Sequence, residues 1–159
     1  MSRVRALTAV QKRWALIFIV LLAGFLRLYQ IADLPPGDGY DPAWYGVDAL
    51  EILDGHLPVY LDTNIGREPL FSYFVALAVA VVGVGPYAIH LAAAVVGILT
   101  VPATYLVAES LFSGEREPLS SYGGLVSALA LTVSFWHQHW SRYGVRAILV
   151  PLFTTLTIW

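Results

Sequence analysis

Residues 34–68 read LPPGDGYDPAWYGVDALEILDGHLPVYLDTNIGRE and follow the first long apolar run of the chain. Eight of the eleven acids in the sequence lie between Asp33 and Glu68, yet the segments on either side are greasy enough for lipid. Carboxylates held between membrane spans are costly and mark a working face. The stretch therefore sets the architecture, membrane helices around a polar outer loop, and also the place to look for chemistry.

Composition agrees with that reading. The 159 residues are 58% hydrophobic and 13% charged, against about 25% charged in an ordinary soluble domain, and the mean hydropathy is +0.69. The fold class expected is all-α: a multi-spanning integral membrane protein whose outer loop carries interfacial helices. A net charge of −2 without a basic run gives no ground for a nucleic-acid partner. Cysteine is absent, which removes disulfides and thiolate chemistry.

Upstream of the loop, Arg3, Arg5, Lys12 and Arg13 precede the apolar run 14–32, interrupted only by Arg27 and Gln30. A basic start and an apolar run also describe a signal peptide. This run is long, however, and Arg27-Leu28-Tyr29-Gln30 offers no small-residue cleavage site. An uncleaved first span is expected, with the N-terminus cytoplasmic and the acidic loop, 33–85, outside a cell membrane crossed several times.

Downstream, 69–82 is short for an upright crossing, which needs about 20 residues. Residues 86–112 are long enough for span 2, 120–136 make span 3, and 147–159 begin a fourth span cut short at Trp159. The chain is expected to be the N-terminal part of something longer. Parity depends on 69–82. If it lies along the outer interface, the polar segment 137–146 faces outside beside the acidic loop; if it crosses, that segment is cytoplasmic. Length favours the interfacial placement.

Within the loop, Pro35-Pro36-Gly37 and Gly39 force a turn that includes Asp38. Asp41-Pro42 reads as an N-cap followed by proline at the first helical position. Trp44, Val47, Leu50 and Leu53 then recur at three-residue spacing, making a short interfacial helix near 42–54 that ends at Gly55. Asp48, Glu51 and Asp54 are expected on its wet face. Asp41 is the candidate base: a cap carboxylate at the positive end of a helix stays ionised, and an ionised carboxylate can take a proton from a hydroxyl.

The cations supply the complementary group. Arg67, beside Glu68 and before Pro69, reads either as half of an interfacial ion pair or as a bidentate phosphate ligand. The segment HQHWSRYGVR, 137–146, is an aromatic and basic belt at a helix end. His137 and His139, two apart, do not share a helix face and make a poor metal pair. Arg142 and Arg146, four apart, share one face if that turn is helical and could grip a lipid phosphate. Arg27 either snorkels to the outer interface or joins them. His90 and Glu109 read as packing or helix-end residues.

These segments resemble a known family when taken in order. LRLYQIADLPPG, YDPAWYGVDALEIL, GREPLFSYFVAL, GILTVPATYLVAESLF and SRYGVRAILVPLF are similar to the N-terminal region of GT-C-fold glycosyltransferases that use polyprenyl-phosphate sugars. Protein O-mannosyltransferases and lipid A aminoarabinose transferases belong to that group. The resemblance runs from Gly24 onward and implies a GT-C-like N-terminal portion. In the family the first outer loop carries an Asp-Glu motif whose Asp is the base; here Asp41-Pro42 keeps the Asp and lacks the Glu. Glu68-Pro69 stands where a basic residue before proline is common, and Arg67 precedes it. Arg146 stands where some members carry a second outer acid.

The resemblance implies an inverting transfer of a sugar from a polyprenyl-phosphate donor to an acceptor glycan, lipid or protein on the outer face, among membrane lipid. Asp41 is expected to be catalytic, with Arg67, Glu68, Arg142, Arg146 and Arg27 around the substrate phosphate. No metal ligands and no cofactor are assigned. A divalent metal is the one cofactor left open, with weak support. The alternatives are a transporter segment with an acidic gate and a structural membrane subunit whose loop binds a partner.

Overall fold

The computed structural model describes residues 6–34, 39–63, 66–116 and 118–159. Among them the chain forms α1 (Ala9–Leu28), α2 (Tyr40–Leu53), α3 (Leu70–Val82), α4 (Pro86–Phe112), α5 (Leu119–Val133), α6 (Phe135–Tyr143) and, after a 3₁₀ turn over Arg146–Ile148, α7 (Leu149–Ile158). The only pairing of strand type among these residues is an isolated bridge from Leu61 to Arg67. The protein is all-helical.

α4 is the axis. Its 27 residues reach about 40 Å at ~1.5 Å per residue. Small side chains along it (Ala88, Ala92, Ala93, Gly97, Ala103) are buried under its neighbours, which lets helices approach closely without a hydrophobic drive between them. Two apolar clusters line its length. One gathers Tyr45, Phe71, Val75, Ala92, Ile148 and Leu152 from α2, α3, α4, the 3₁₀ turn and α7. The other gathers Ile19, Ala23, Val101, Leu125 and Ala128 from α1, α4 and α5.

α1 and α4 are each long and apolar enough to cross a membrane. The first starts earlier than the predicted 14–32, because Thr8 caps it: its side chain accepts from Gln11 N, and the Gln11 side chain accepts from Thr8 N in return. That reciprocal cap carries Lys12 and Arg13 into the helix. Trp14, Phe18, Leu21 and Phe25 point away from the bundle, as suits a lipid-facing surface.

The expected third span, 120–136, is not one straight helix. It breaks at Ser134, where the backbone is extended (ψ 119°), and α5 and α6 meet with a bend of 56°. Together they pass for one crossing; apart, 15 and 9 residues are too short for a core about 30 Å thick. Neither glycine nor proline marks the break.

Helix ends gather at two poles. At one, Lys12 pairs with Glu109 at 2.6 Å, and Leu7 N donates to Ser121 Oγ at 2.8 Å, joining the start of α1, the end of α4 and the start of α5. At the other, the end of α1 meets the start of α4, α2 and the end of α6. The segment 137–146 and the acidic loop thus share a pole. α3, 13 residues long or about 20 Å, lies along only the first part of α4, with Phe74, Leu77 and Val81 beside Leu91 and Val95.

Candidate functional site

The start of α2 carries the residues that matter, and its cap differs from the expected one. Gly39 is the N-cap and Asp41 sits two residues further on, in the first turn. Asp41 is exposed. Its carboxylate lies at the positive end of the helix dipole, in the first turn rather than at the N-cap. Asp38 and the Pro35-Pro36-Gly37 turn lie outside the described residues. Tyr143, at the end of α6, packs so closely on Gly39 that a side chain there would meet its hydroxyl. That contact brings the end of α6 to the start of α2.

Asp48 corrects the expectation most sharply. Glu51 and Asp54 are exposed, as a wet face requires, but Asp48 is only 2% exposed. Its Oδ2 accepts from Arg67 at 2.5 Å and from Ser72 Oγ at 2.9 Å. Arg67, 3% exposed, also donates to Thr63 O at 3.1 Å and lies over the Tyr45 ring, 5.4 Å from its centroid. Arg67 is therefore taken out of the phosphate-binding set: its charge is neutralised inside the protein, beneath α2. The outward apolar positions Val47, Leu50 and Leu53 remain exposed.

Above this buried pair lies an exposed one. Glu68 accepts from Arg146 at 2.6 Å. Tyr45 connects the layers: its ring is buried, edge-on to Phe71 at 4.9 Å, and Arg146 acts on its phenol. Burial pushes the Tyr45 phenol above its ordinary value, and the Asp41 charge adds to that; the Arg146 N–H and the charges of Arg146 and Arg67 act the other way. Asp41, Tyr45, Arg146 and Glu68 make one polar cluster. Tyr45 was not singled out in the sequence, and Asp48 was assigned only to the wet face.

Arg142 and Arg146 do not share a helix face. Gly144, left-handed at φ 81°, ends α6 between them and wedges against Ile89. Arg142 turns back to α1, donating to Leu26 O at 2.6 Å, Tyr29 O at 2.8 Å, Gln30 O at 3.3 Å and Leu34 O at 3.0 Å. It caps the carbonyl end of that helix. His90 Nδ1 lies 2.5 Å from the carbonyl of the same residue.

Arg27 neither snorkels nor reaches the cluster. It is fully buried, donating to Ala23 O at 3.2 Å and to His137 Nδ1 at 2.8 Å. An arginine always donates, so Nδ1 accepts and the neutral ring carries its proton on Nε2. Gly97 makes the space: a side chain there would meet Ser141 and approach Arg27 Nε to 3.2 Å. Among the described residues, neither Arg27 nor Arg142 has a carboxylate at ion-pair distance, and no three His, Asp or Glu side chains converge as a metal set would.

Compared with protein-family models, with curated proteins and with solved structures, the chain has no match.

Proposed function

We propose that this chain is part of a membrane glycosyltransferase of GT-C type that moves a sugar from a polyprenyl-phosphate donor to an acceptor hydroxyl, with inversion, on the outer face of the membrane. The observation that carries the reading is an exposed acid in the first turn of α2, Asp41, whose charge and that of Arg146 both act on the Tyr45 phenol. An acid alone would serve a gate or a partner-binding loop equally well.

In the reaction Asp41 takes the proton of the acceptor hydroxyl while that oxygen bonds to the anomeric carbon. The bond from that carbon to the phosphate oxygen breaks, and its electron pair leaves with the phosphate, which gains a negative charge. Cations placed where that charge develops lower the barrier. Arg146 is the surface cation of the cluster. Arg27 and Arg142, whose partners are neutral, leave their charge at the same pole, whereas Arg67 contributes none to it. Glu68 orients Arg146.

The test is transfer of labelled sugar from its polyprenyl phosphate by the full chain in lipid vesicles. The reading expects Asp41→Asn and Arg146→Ala to lose transfer while remaining folded; retention in Asp41→Asn overturns the base. The break in the α5–α6 pair favours a second reading, since discontinuous helices serve transporters. Solute uptake into the same vesicles without any lipid-linked sugar would support that alternative.

A further inference from the structure

Helix α6 carries two aromatic stripes. Trp136 and Trp140 stack at 6.3 Å on one. On the other, Phe135, His139 and Tyr143 follow at four-residue spacing, their rings near parallel at 6.0 and 5.7 Å. Centroids so far apart make an offset stack, which leaves part of each face open. Beside the second stripe lies a groove of about 250 Å³, lined by Phe135, Gln138, His139 and Arg142 of α6 and by Leu34 beyond α1. Positions 135, 138, 139 and 142 share one face of the helix. The stripe ends where Tyr143 packs on Gly39, the residue that caps the helix of Asp41.

The lining has a definite chemistry. Gln138 Nε2 donates to Thr132 O at 2.9 Å, which fixes the amide and leaves its carbonyl as the acceptor. Arg142 holds four carbonyls, and a guanidinium has more N–H groups than that. A neutral His139 ring brings both a donor and an acceptor. None of the lining residues is acidic. An acyl chain would leave these polar groups unanswered, and a phosphate would meet the Gln138 carbonyl. A sugar ring answers all of them. Its hydroxyls donate and accept, and its C–H face carries the partial positive charge that an aromatic face attracts. The groove is smaller than the roughly 300–1,000 Å³ of drug-sized sites, which suits a single ring.

We propose that this groove binds a pyranose ring of the acceptor, with Phe135 and His139 as the stacking surface and Gln138, His139 and Arg142 as the hydroxyl contacts. The inference rests on the proposed sugar transfer and names its acceptor class, a saccharide. The next unit of that acceptor runs over Tyr143 toward Asp41, where its hydroxyl gives up the proton. Trp136, 67% exposed on the other stripe, is left to the lipid.

Binding is read without turnover, by saturation-transfer difference NMR on the full chain in nanodiscs, with empty nanodiscs as blank. The probes are methyl α-mannoside, methyl β-glucoside and methyl β-galactoside. At least one should show a signal concentrated on the C–H protons of one ring face. Phe135 is 76% exposed, so its removal spares the bundle, and circular dichroism checks the fold. The signal should disappear in the Phe135→Ala/His139→Ala double variant and persist in Trp136→Phe, on the other stripe. Sorbitol, a polyol without a ring, should give none. Silence from all three glycosides, an equal signal from sorbitol, or an unchanged signal in the double variant overturns the proposal. Displacement of the sugar by glycerol 3-phosphate also overturns it, assigning the groove to a lipid headgroup. Asp41→Asn should keep the signal, so a failed base assignment and a failed groove give different results.

Discussion

Arg67 and Glu68 are neighbours in the chain and face opposite ways: one is buried against Asp48 on α2, the other exposed against Arg146 ahead of α7. The two ion pairs fasten the acidic loop on both sides of Tyr45. The buried one is structural. Removing one partner leaves the other charged and desolvated, so Asp48→Ala or Arg67→Ala should each destabilise the fold by about 3–5 kcal/mol. Their effects should be far from additive, because the double variant leaves no orphan charge. Thermal unfolding in detergent measures both; a loss below about 1 kcal/mol in either single variant would contradict the pairing. The exposed Glu68–Arg146 pair should contribute little to stability.

At Gly97, α4 packs closely against α6. A methyl group there meets Ser141 Cβ, so Gly97→Ala should cost about 1–3 kcal/mol through overpacking. Ser141→Gly in the same chain should recover part of the loss, and unfolding of the three variants checks it.

Arg142 holds the end of α1 through a planar fork that lysine cannot reproduce. Arg142→Lys should leave the bundle folded but raise hydrogen exchange over residues 26–34. Unchanged protection there would show that the four carbonyl contacts do not hold α1.

Tyr45 gives a pH dependence with a definite sign. Its phenol is raised above the ordinary value of 10 in the fold, so the unfolded chain ionises first as pH increases. Its contribution to stability is complete below pH 10 and is lost as pH climbs through the raised folded value. Tyr45→Phe should remove that alkaline component from a plot of unfolding midpoint against pH. An unchanged slope would place the titration elsewhere.

Much of the helical pattern was legible because apolar length leaves a plain trace. α4 occupies Pro86–Phe112, the range marked out by hydropathy, and α2 stops just before Gly55, whose φ is 96°. What stayed hidden was the direction of polar side chains. In water a charged residue on an amphipathic helix faces out, and Asp48 was read so. Beside lipid the outward face can be the apolar one, and a polar residue is then satisfied only within the bundle. Asp48 follows that logic on α2, as does Arg27 on α1. The break at Ser134 left no local signal, since neither a glycine nor a proline stands there. The polar set changed accordingly: Arg67 is neutralised by Asp48, and His137 joins only as the neutral partner of Arg27.

The central claim is that Asp41 accepts the proton of the acceptor. Gly39 is the cap of α2, and a first-turn carboxylate adds about 0.3–1 kcal/mol through the helix dipole, so a loss of transfer far beyond any loss of stability marks catalysis. The decisive measurement is single-turnover transfer of labelled sugar by Asp41→Asn and Asp41→Ser in lipid vesicles, alongside their unfolding midpoints. The account predicts transfer lower by about 10²–10⁴-fold, as for loss of a general base, with stability nearly unchanged. Transfer at the wild-type rate in a folded Asp41→Asn chain would contradict it.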